Sequence, residues 1–518
     1  MIFKDTQAKK AFLLICNIFA GFITVLGFAP YNHWFFPLLG LVIFFAYVSN
    51  QDTAKKTAFS VFTFCFTFNL GTLWWINKIL NGFGEMPFIL SFMVVSLLSA
   101  YLSLFPALAG YLSHKFYPQK TIIKNIIALP ILWIYADYIN AWMFTGFSWT
   151  NLGYTQIESP LGNYAPLLGC DGITYIMLIT CSSISYSIFR KNFLALIMPS
   201  VLLLGSYFLG NIQFVNQLNP IKVALLQGNI DTELKWSPDM INPTLKTYYS
   251  LITDNLDSHI ILMPESAIPA LENLLERKQV ISKMDEFAKS NNIGLITGFQ
   301  YHNEKDNKYY NGIIGLGVVD KAKTVMYKFG ESNRYYKRHL VPIGEYLPLG
   351  DLVRSIGPIF NMPMNYFSHG AEKQPNIQSQ GLNIASAICY EIIFNSELST
   401  QINENTNIIA TISNDGWFNG TNGPHQHLSI ARMRAKEFGK PVMRATNNGI
   451  TAVIDYNGNI ISELPQNVTS SLKTVLRPTK GITPFCVYGK TPMIILCTLL
   501  LIYTFYTNRK LKKQNKLS

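Results

Sequence analysis

Three polar side chains that could do chemistry stand at the ends of largely apolar runs in this 518-residue chain. Cys389 follows the run 384–388, Glu265 lies in MPESAIP, and Lys337 lies in YYKRHLVPIGEYLP. A thiol with an ordinary pKa of about 8.5 is mostly protonated near neutral pH, so a nucleophilic cysteine needs a base or a nearby cation. Glu265 could be that base if burial raises its pKa, and Lys337 could meet the oxyanion formed when the thiolate attacks a carbonyl. The three residues together predict covalent catalysis by a cysteine.

Each of these residues also has an ordinary structural interpretation. Cys389 could be a small buried core residue, Glu265 could cap a turn, and Lys337 could be a surface lysine. The catalytic interpretation is favoured because the three residues supply one mechanism, in which the backbone N–H of Tyr390 is a natural second donor to the oxyanion. One such donor typically lowers the barrier by roughly 3 to 4 kcal/mol.

The other six cysteines offer Cys389 no evident partner. Nearly all of them fall inside or beside apolar segments, and no two are spaced as CxxC. Neither a disulfide framework nor a metal site is therefore predicted. These residues are Cys16, Cys65, Cys170, Cys181, Cys486 and Cys497.

Residues 220–485 are predicted to form an α/β domain that positions these side chains. Several predicted strands stop at a polar or acidic residue, namely Glu265, Glu391 and Asp415. Ligands bind at the carboxyl ends of strands in open α/β sheets, so these strand ends predict one site. The predicted strands are 222–229, 259–266, 293–300, 311–318, 383–391, 407–415 and a hairpin at Asn457-Gly458, a dipeptide suited to type I′ turns, and the predicted helices are 239–257, 273–290 and 425–439.

The rest of the chain has the composition of a membrane protein. Hydrophobic residues make up 49% of the chain and charged residues only 14%. A run of about 17 to 25 apolar residues is long enough to cross the hydrocarbon core of a bilayer. Eight such spans are predicted, at 11–28, 34–49, 57–77, 87–113, 123–142, 166–189, 193–211 and 492–508.

The positions of lysine and arginine predict the orientation of these spans. The cations cluster before the first span, after the second, fourth and sixth, and after the eighth, which places them all on one side. We therefore expect both termini in the cytoplasm and the region between the last two spans outside it. These loops account for the net charge of +12, so no nucleic-acid partner is predicted. The first span could instead be a cleaved signal peptide, but Pro30 is a poor cleavage context, and we assign it as a helix.

The order of Glu265, Lys337 and Cys389 resembles the Glu-Lys-Cys triad of the nitrilase (carbon–nitrogen hydrolase) superfamily. The whole chain resembles the membrane branch of that superfamily, the apolipoprotein N-acyltransferases. Its most specific feature is YKRHLVPIGEYLP followed downstream by CYE. The motifs that carry the resemblance are GFAPYNHW, MFTGFSWTNLGYTQ, LLQGNIDTELKW, MPESAIP, YKRHLVPIGEYLP, ICYEIIF, SNDGWF, GPHQHLSIARMRAKE and RATNNGIT.

The resemblance implies roles for four of these residues. Cys389 would be the nucleophile, Glu265 the general base and Lys337 the partner of the oxyanion. Glu345 falls where the superfamily has a second glutamate that helps to position the lysine and the substrate.

Five more residues match supporting positions of the family. Tyr390 and Glu391 would shape the site. Trp236 and Trp417 fall on active-site arms, where they would contact lipid acyl chains or gate entry, although core packing is an alternative for each. Trp149 matches a position at the membrane-facing mouth.

The implied fold is a polytopic α-helical membrane bundle joined to an α/β nitrilase-like domain, an αββα sandwich, outside the cytoplasm. The expected divisions are a membrane domain at 1–215 with about seven transmembrane helices, a periplasmic catalytic domain at 216–486, and a last transmembrane helix with a basic cytoplasmic tail at 487–518.

The implied activity is a two-step acyl transfer at the bacterial inner membrane. Cys389 would take an acyl chain from a phospholipid, with phosphatidylethanolamine expected, and hold it as a thioester. The α-amino group of the diacylglyceryl-cysteine at the N-terminus of an apolipoprotein would then accept the chain. The implied partners are these two substrates and the bilayer, and no cofactor or metal is implied.

The chain departs from the expected family pattern at three positions. Asp137, Asn140 and Ser148 stand where glutamate, arginine and proline are expected, so the mode of head-group binding is not carried over. Two alternatives stay open. The first is a membrane-bound amidase or nitrilase that gives the acyl group to water, and the second is a transporter or scaffold with an inactive nitrilase domain, which the intact triad disfavours.

Overall fold

The computed structural model of the chain divides into two compact units. It describes residues 6–82, 84–117, 122–320, 327–331, 333–342, 344–346, 367–418 and 420–517. The first unit comprises Met1–Asn81, Met86–Ile212 and Tyr488–Ser518, and the second comprises Gly82–Glu85 and Gln213–Val487.

The first unit is helical. Its apolar runs carry few charges, and a helix lets each run form its backbone hydrogen bonds within itself. Short π or 3₁₀ segments, Ile123–Ala128 and Phe193–Leu196, lead into two of the helices. The helices are α1 (Thr6–Val25), α2 (Phe35–Val48), α3 (Ala54–Thr72), α4 (Trp75–Gly82), α5 (Phe88–Phe116), α6 (Leu129–Asn140), α7 (Ala165–Arg190) and α8 (Ile197–Leu209), with the later α15 (Thr491–Leu517).

Each of the eight predicted spans overlaps a helix, but fewer helices are long and apolar enough to cross a membrane unaided. Within the described residues four qualify, and the pair α3 and α4, bent by 54° at the break between them, makes a possible fifth. The helices Phe35–Val48 and Phe193–Leu209 are apolar but shorter. The sequence pattern therefore located the apolar segments correctly and overstated how many of them are full-length single helices.

Close helix contacts and an apolar outer surface support assignment of this unit to a membrane. A Cβ on Gly21 would lie 1.8 Å from Thr67 Oγ1, so only glycine allows α1 to approach α3 this closely. The amide of Asn17 donates to the backbone oxygen of Ser60 at 2.9 Å in the same contact. Large apolar side chains such as Ile89 and Leu97 of α5 are 74% and 68% exposed, which hydrocarbon would cover and water would not.

Helix α15 is attached to the rest of the first unit by polar side chains. The hydroxyl of Tyr117 lies 2.8 Å from Thr504 Oγ1. Lys490, just before α15, forms a 2.6 Å ion pair with Asp171 of α7. A helix that comes last in the sequence thus belongs to the same unit as the first helices.

The second unit contains two six-stranded sheets. The order in the first sheet is β13-β2-β3-β4-β5-β6, with β2, β3 and β4 parallel. The order in the second is β12-β11-β10-β9-β8-β7, with β8, β9 and β10 parallel. The strands are β1 (Asn216–Gln217), β2 (Ile221–Gln227), β3 (Ile260–Leu262), β4 (Gly294–Asn303), β5 (Lys308–Gly317), β6 (Arg334–Tyr336), β7 (Ile377–Ser379), β8 (Leu382–Ile388), β9 (Thr406–Ser413), β10 (Val442–Thr446), β11 (Ala452–Ile454), β12 (Ile460–Glu463), β13 (Ser470–Leu476) and β14 (Thr479–Lys480).

Helices cover the outer face of each sheet. The helices of this unit are α9 (Ile241–Thr253), α10 (Glu272–Arg277), α11 (Val280–Ser290), α12 (Asn395–Ser399), α13 (Gly423–Phe438) and α14 (Pro484–Tyr488). Residues of α9, α10 and α11 share an apolar core with the first sheet, and α13 packs on β10 and β11 of the second.

An apolar core lies between the two sheets. Ile296 and Ile313 of the first sheet pack there with Ile408 and Ile412 of the second, and none of the four side chains is exposed. The layers run helix, sheet, sheet, helix, which confirms the αββα sandwich expected from the sequence.

All six predicted strands are present, but their ends differ. Strand β8 stops at Ile388 instead of Glu391, because Cys389 has a φ of +52° and cannot continue the ladder. The predicted hairpin exists between β11 and β12, with Gly458 at a φ of +84°. Asn457 does not have a positive φ, so the turn is not type I′, which requires positive φ at both central residues.

The inter-sheet core predicts which isoleucines stabilise the second unit. Ile412→Ala should lower the thermal unfolding midpoint of the full-length protein in detergent, because removing a fully buried isoleucine costs about 2 to 5 kcal/mol. Ile461→Ala is the matched control, since Ile461 on β12 is 42% exposed and its loss should change stability by less than about 0.5 kcal/mol. Equal midpoints for the two variants, measured by scanning fluorimetry, would contradict the assigned core.

Candidate active site

The ends of four strands supply the polar side chains of the site. Glu265 follows β3 and Lys337 follows β6, both in the first sheet. Cys389 follows β8 and Asp415 follows β9, which are adjacent in the second sheet. The site therefore lies where residues of the two sheets meet, as strand ends in an α/β fold predict.

Glu265 is a buried carboxylate with partners on both oxygens. Oε1 accepts from the Asn311 amide at 2.7 Å and lies 3.9 Å from Lys337 Nζ. Oε2 accepts from the backbone N–H of Asn414 at 3.0 Å. Burial raises the pKa of Glu265 above its ordinary value, and the charge of Lys337 opposes that rise. The carboxylate is thus fixed in position and more basic than a solvated glutamate, as a general base requires.

A glycine on the neighbouring strand allows the backbone of Glu265 to come close. A Cβ on Gly298 of β4 would lie 2.7 Å from Glu265 Cα and equally close to Pro264 O and Ser266 N. Real side chains do not make such contacts, so any larger residue would push the segment that carries Glu265 away.

Lys337 lies between two carboxylates. Its Nζ donates to Glu345 Oε1 at 2.7 Å, and Glu265 is the second acid. Burial alone would lower the pKa of Lys337, but Glu345 and Glu265 raise it above its ordinary value, so the side chain stays a cation. A fixed buried cation is suited to stabilise an oxyanion.

Glu345 and Asn311 orient this cation and the base. Glu345 Oε2 accepts from the backbone N–H of Val341 at 2.8 Å, which holds the carboxylate in place. The Asn311 amide lies 3.3 Å from Glu345 Oε1 as well as near Glu265, so one side chain touches both acids. Asn311 was not identified in the sequence analysis, and the only signal for it was a polar residue in the otherwise apolar run of β5.

Cys389 is held in an unusual backbone conformation at the tip of β8. Its positive φ is uncommon for a residue with a side chain, and here it starts a 3₁₀ turn, Cys389–Ile393. Burial raises the pKa of the half-buried thiol to about 12, with Glu265 acting in the same direction and Lys337 opposing it. The thiol is therefore protonated at rest.

These electrostatics define how the cysteine can react. A protonated thiol beside a basic carboxylate loses its proton to the base as it attacks, so no free thiolate accumulates. The fold brings the three predicted residues together, since Lys337 Nζ lies 3.9 Å from Glu265 Oε1 and Glu391 binds the backbone next to both Lys337 and Cys389.

Glu391 connects the strand ends that carry Lys337 and Cys389. Its Oε1 accepts from the backbone N–H of Arg338 at 2.5 Å, from that of His339 at 3.1 Å and from the Tyr335 hydroxyl at 2.9 Å. Its Oε2 accepts from the backbone N–H of Ile388 at 2.7 Å. The expected shaping role of Glu391 thus has a physical basis.

The predicted aromatic residues occupy different environments. Trp236 and Trp417 are 43% and 37% exposed, so neither is a core residue. Tyr390 is buried, with its ring centroid 5.2 Å from that of Phe394. Trp149 is buried in the first unit, 5.0 Å from the ring of Trp75.

Lys235 is a buried residue beside Glu265 that the sequence analysis did not identify. Only 1% of it is exposed, and its Nζ donates to the backbone oxygen of Glu265 at 3.3 Å and lies 5.8 Å from the Trp236 ring. Burial lowers the pKa of Lys235 to about 8, and Glu265 opposes that shift. In the sequence Lys235 looks like an ordinary surface lysine in a polar loop.

The three residues that depart from the family pattern line one cavity in the first unit. Asp137, Asn140 and Ser148 border one pocket together with Asp171 and other residues. They are therefore neighbours in space, and the cavity they share is polar.

Comparisons with known proteins match two successive parts of the chain to family models. Residues 20–183 match a family model described as the apolipoprotein N-acyltransferase N-terminal domain, and residues 222–476 match the carbon-nitrogen hydrolase model. A Vibrio parahaemolyticus protein named apolipoprotein N-acyltransferase is 40% identical over 95% of this chain and 96% of its own length. Proteins of the same name from Vibrio cholerae and Haemophilus influenzae are 38% and 35% identical, each over 95% of this chain and over 96% and 94% of their own lengths.

The contacts of Glu265 predict the effect of Asn311 on the pH dependence of activity. Activity should fall as pH drops through the raised pKa of Glu265, because the base must be ionised. Asn311 stabilises the ionised form, so Asn311→Leu should raise that pKa further and move the acid limb of kcat/KM to higher pH.

Asn405→Leu is the matched control, because Asn405 is exposed and lies outside the site. The acid limb of its kcat/KM profile should coincide with that of the unmodified protein. An acid limb in the Asn311 variant that stays in place or moves to lower pH would contradict the assignment of Glu265 as the titrating base.

Proposed function

The chain belongs to the apolipoprotein N-acyltransferase family, and from this premise we propose that it transfers an acyl chain from a membrane phospholipid to the N-terminal diacylglyceryl-cysteine of apolipoproteins. The observation that carries the proposal is the ion-paired group of Glu265, Lys337 and Glu345, of which Glu265 and Lys337 act on Cys389. This group combines a base, a fixed cation and a nucleophile, which are the parts that acyl transfer needs.

In the first step Cys389 attacks the ester carbonyl of the phospholipid. The bond from Sγ to the carbonyl carbon forms while the thiol proton moves to Glu265. Lys337 Nζ and the backbone N–H of Tyr390 stabilise the oxyanion of the tetrahedral intermediate. The ester C–O bond then breaks, the lysophospholipid oxygen takes the proton back from Glu265, and a thioester remains on Cys389.

In the second step the α-amino group of the lipoprotein attacks the thioester. Glu265 accepts a proton from the attacking amine, and the same oxyanion donors are used again. The C–S bond breaks, the sulfur takes the proton, and an amide is formed on the lipoprotein. The enzyme returns to its protonated resting thiol, which agrees with the raised pKa of Cys389.

The exposed aromatic residues supply apolar contact for lipid chains. Trp236 and Trp417 each present a large part of an indole ring to the surroundings. Exposed tryptophans favour contact with acyl chains near a polar boundary. We assign these two residues to the binding of the acyl chain, with phosphatidylethanolamine as the expected donor.

For the cellular location we propose the bacterial inner membrane, with the catalytic unit on the periplasmic side and both termini in the cytoplasm. The clustering of lysine and arginine in alternate loops supports this orientation. Both substrates are lipid-anchored, so an enzyme held in the same bilayer meets them at a high effective concentration.

The covalent intermediate gives a direct test of the proposal. Full-length protein incubated with one defined phosphatidylethanolamine should gain the mass of one acyl chain, detected by intact-protein mass spectrometry. Cys389→Ala should gain none, because the sulfur is lost, and Glu265→Gln should acylate about 10²- to 10⁴-fold more slowly because the base is lost.

The second step separates the proposal from its hydrolytic alternative. Addition of a diacylglyceryl-cysteine lipopeptide should remove the acyl mass from the protein and place it on the peptide amine. Release of free fatty acid with no acylated peptide would instead show a hydrolase. A protein that never acquires the acyl mass would contradict both and favour a catalytically inactive scaffold.

The orientation predicts the activity of reporter fusions. Alkaline phosphatase fused after residue 300 should be active, because the reporter needs the disulfides that form outside the cytoplasm. A fusion after residue 120, in a lysine-containing loop, is the matched control and should be inactive. The reverse pattern would overturn the proposed topology.

A further inference from the structure

A second buried polar cluster lies behind Cys389. It consists of Asp415, His427 and Arg444, which are 0%, 1% and 0% exposed. Arg444 Nη2 donates to Asp415 Oδ2 at 2.5 Å, and His427 Nδ1 lies 3.3 Å from Asp415 Oδ1. Neither reaction step described above uses these residues.

The cluster contacts the backbone of the nucleophile. His427 Nε2 lies 3.0 Å from the carbonyl oxygen of Cys389. A carbonyl oxygen only accepts hydrogen bonds, so Nε2 carries the proton and donates it. On the other side of the ring, Nδ1 lies 3.1 Å from Arg444 Nη2 and 3.3 Å from Asp415 Oδ1, so both members of the ion pair contact it.

These contacts hold both ring nitrogens of His427, with Nε2 on Cys389 and Nδ1 on the pair of Asp415 and Arg444. Burial lowers the pKa of His427, the charge of Arg444 lowers it further, and Asp415 opposes both. A ring that donates to Cys389 through Nε2 and contacts Arg444 and Asp415 through Nδ1 has its orientation fixed at both nitrogens.

Ser413, at the end of β9, adds a further contact to the cluster. The Ser413 hydroxyl donates to Asp415 Oδ1. The contacts therefore form a chain, which runs from Ser413 through Asp415, Arg444 and His427 to the carbonyl oxygen of Cys389.

Space around Asp415 is restricted as well. A Cβ on Gly449 would lie 2.6 Å from Asp415 Cβ and from its Oδ2. The carboxylate is thus confined by close packing in addition to its bonds with Arg444 and Ser413.

We propose that His427, held by Asp415 and Arg444, is a positioning residue that fixes the strained backbone of Cys389 and so aims its sulfur at the carbonyl to be attacked. A residue with positive φ costs free energy, and it persists only where its surroundings hold it. The His427 bond to the Cys389 carbonyl and the Glu391 bond to the preceding N–H of Ile388 hold the two sides of this turn. The inference rests on Cys389 being the nucleophile of the proposed function.

The experiment compares two substitutions of His427 in the full-length protein. Glutamine can place an N–H near the position of Nε2, whereas methionine fills a similar volume without a donor. His427→Met should slow formation of the acyl-enzyme from phosphatidylethanolamine by about 10²-fold, because small misplacements of a reacting group cost that much. His427→Gln should restore most of the rate.

His425 provides the matched control on the same helix. It is not bonded to Cys389, and its Nε2 lies 3.4 Å from Gln466. His425→Met and His425→Gln should both acylate at the unmodified rate. Equal rates for the Met and Gln variants of His427, whether both are normal or both are slow, would overturn the positioning role.

If His427→Met does not fold, a second measurement still tests the proposal. The rate of alkylation by iodoacetamide reports on the position of the Cys389 thiol. His427→Asn keeps a side-chain amide but is too short to reach the Cys389 carbonyl, so its alkylation should be slower than that of His427→Gln. Equal alkylation rates for these two variants would contradict the positioning role. Absence of an acyl-enzyme in the unmodified protein would instead contradict the proposed function, so the two failures are distinguishable.

Discussion

The arrangement of the site depends on the buried carboxylate of Glu391. It accepts from three backbone N–H groups on both sides of the site, those of Arg338 and His339 after β6 and of Ile388 at the end of β8, and from the Tyr335 hydroxyl. Burying a carboxylate is costly unless donors surround it, and here the donors belong to the two segments that carry Lys337 and Cys389. The desolvation cost of Glu391 thus acts against any separation of cation and nucleophile, because separation would leave the carboxylate without partners.

The charges of the site form a second constraint. Glu265 and Glu345 flank one cation, Lys337, which is fully buried. The two acids keep the lysine charged, while burial keeps Glu265 basic and the Cys389 thiol protonated. The resting site therefore holds its proton on sulfur and its positive charge where the oxyanion will form, so little rearrangement of charge precedes the attack.

The sequence predicted the parts of the fold that depend on local pattern. The apolar runs located the helices of the first unit and six strands of the second, and the order of Glu265, Lys337 and Cys389 selected three residues that the fold brings together. It did not predict contacts that depend on pairing between distant segments. Asn311 bridges two acids only because β5 lies beside the segment after β3, and His427 meets Cys389 only because α13 packs on the second sheet. No local pattern encodes the positive φ of Cys389, which shortened β8.

The placement of α15 in the first unit has a consequence for biosynthesis. The whole second unit, apart from Gly82–Glu85, is synthesised between α8 and α15. At ordinary rates of translation that interval lasts on the order of tens of seconds. Throughout that time Asp171 and Tyr117 of the helical unit lack their contacts with Lys490 and Thr504, which have not yet been synthesised. The early helices must therefore remain incompletely assembled while the α/β unit emerges, and the last few dozen residues of the chain close the bundle.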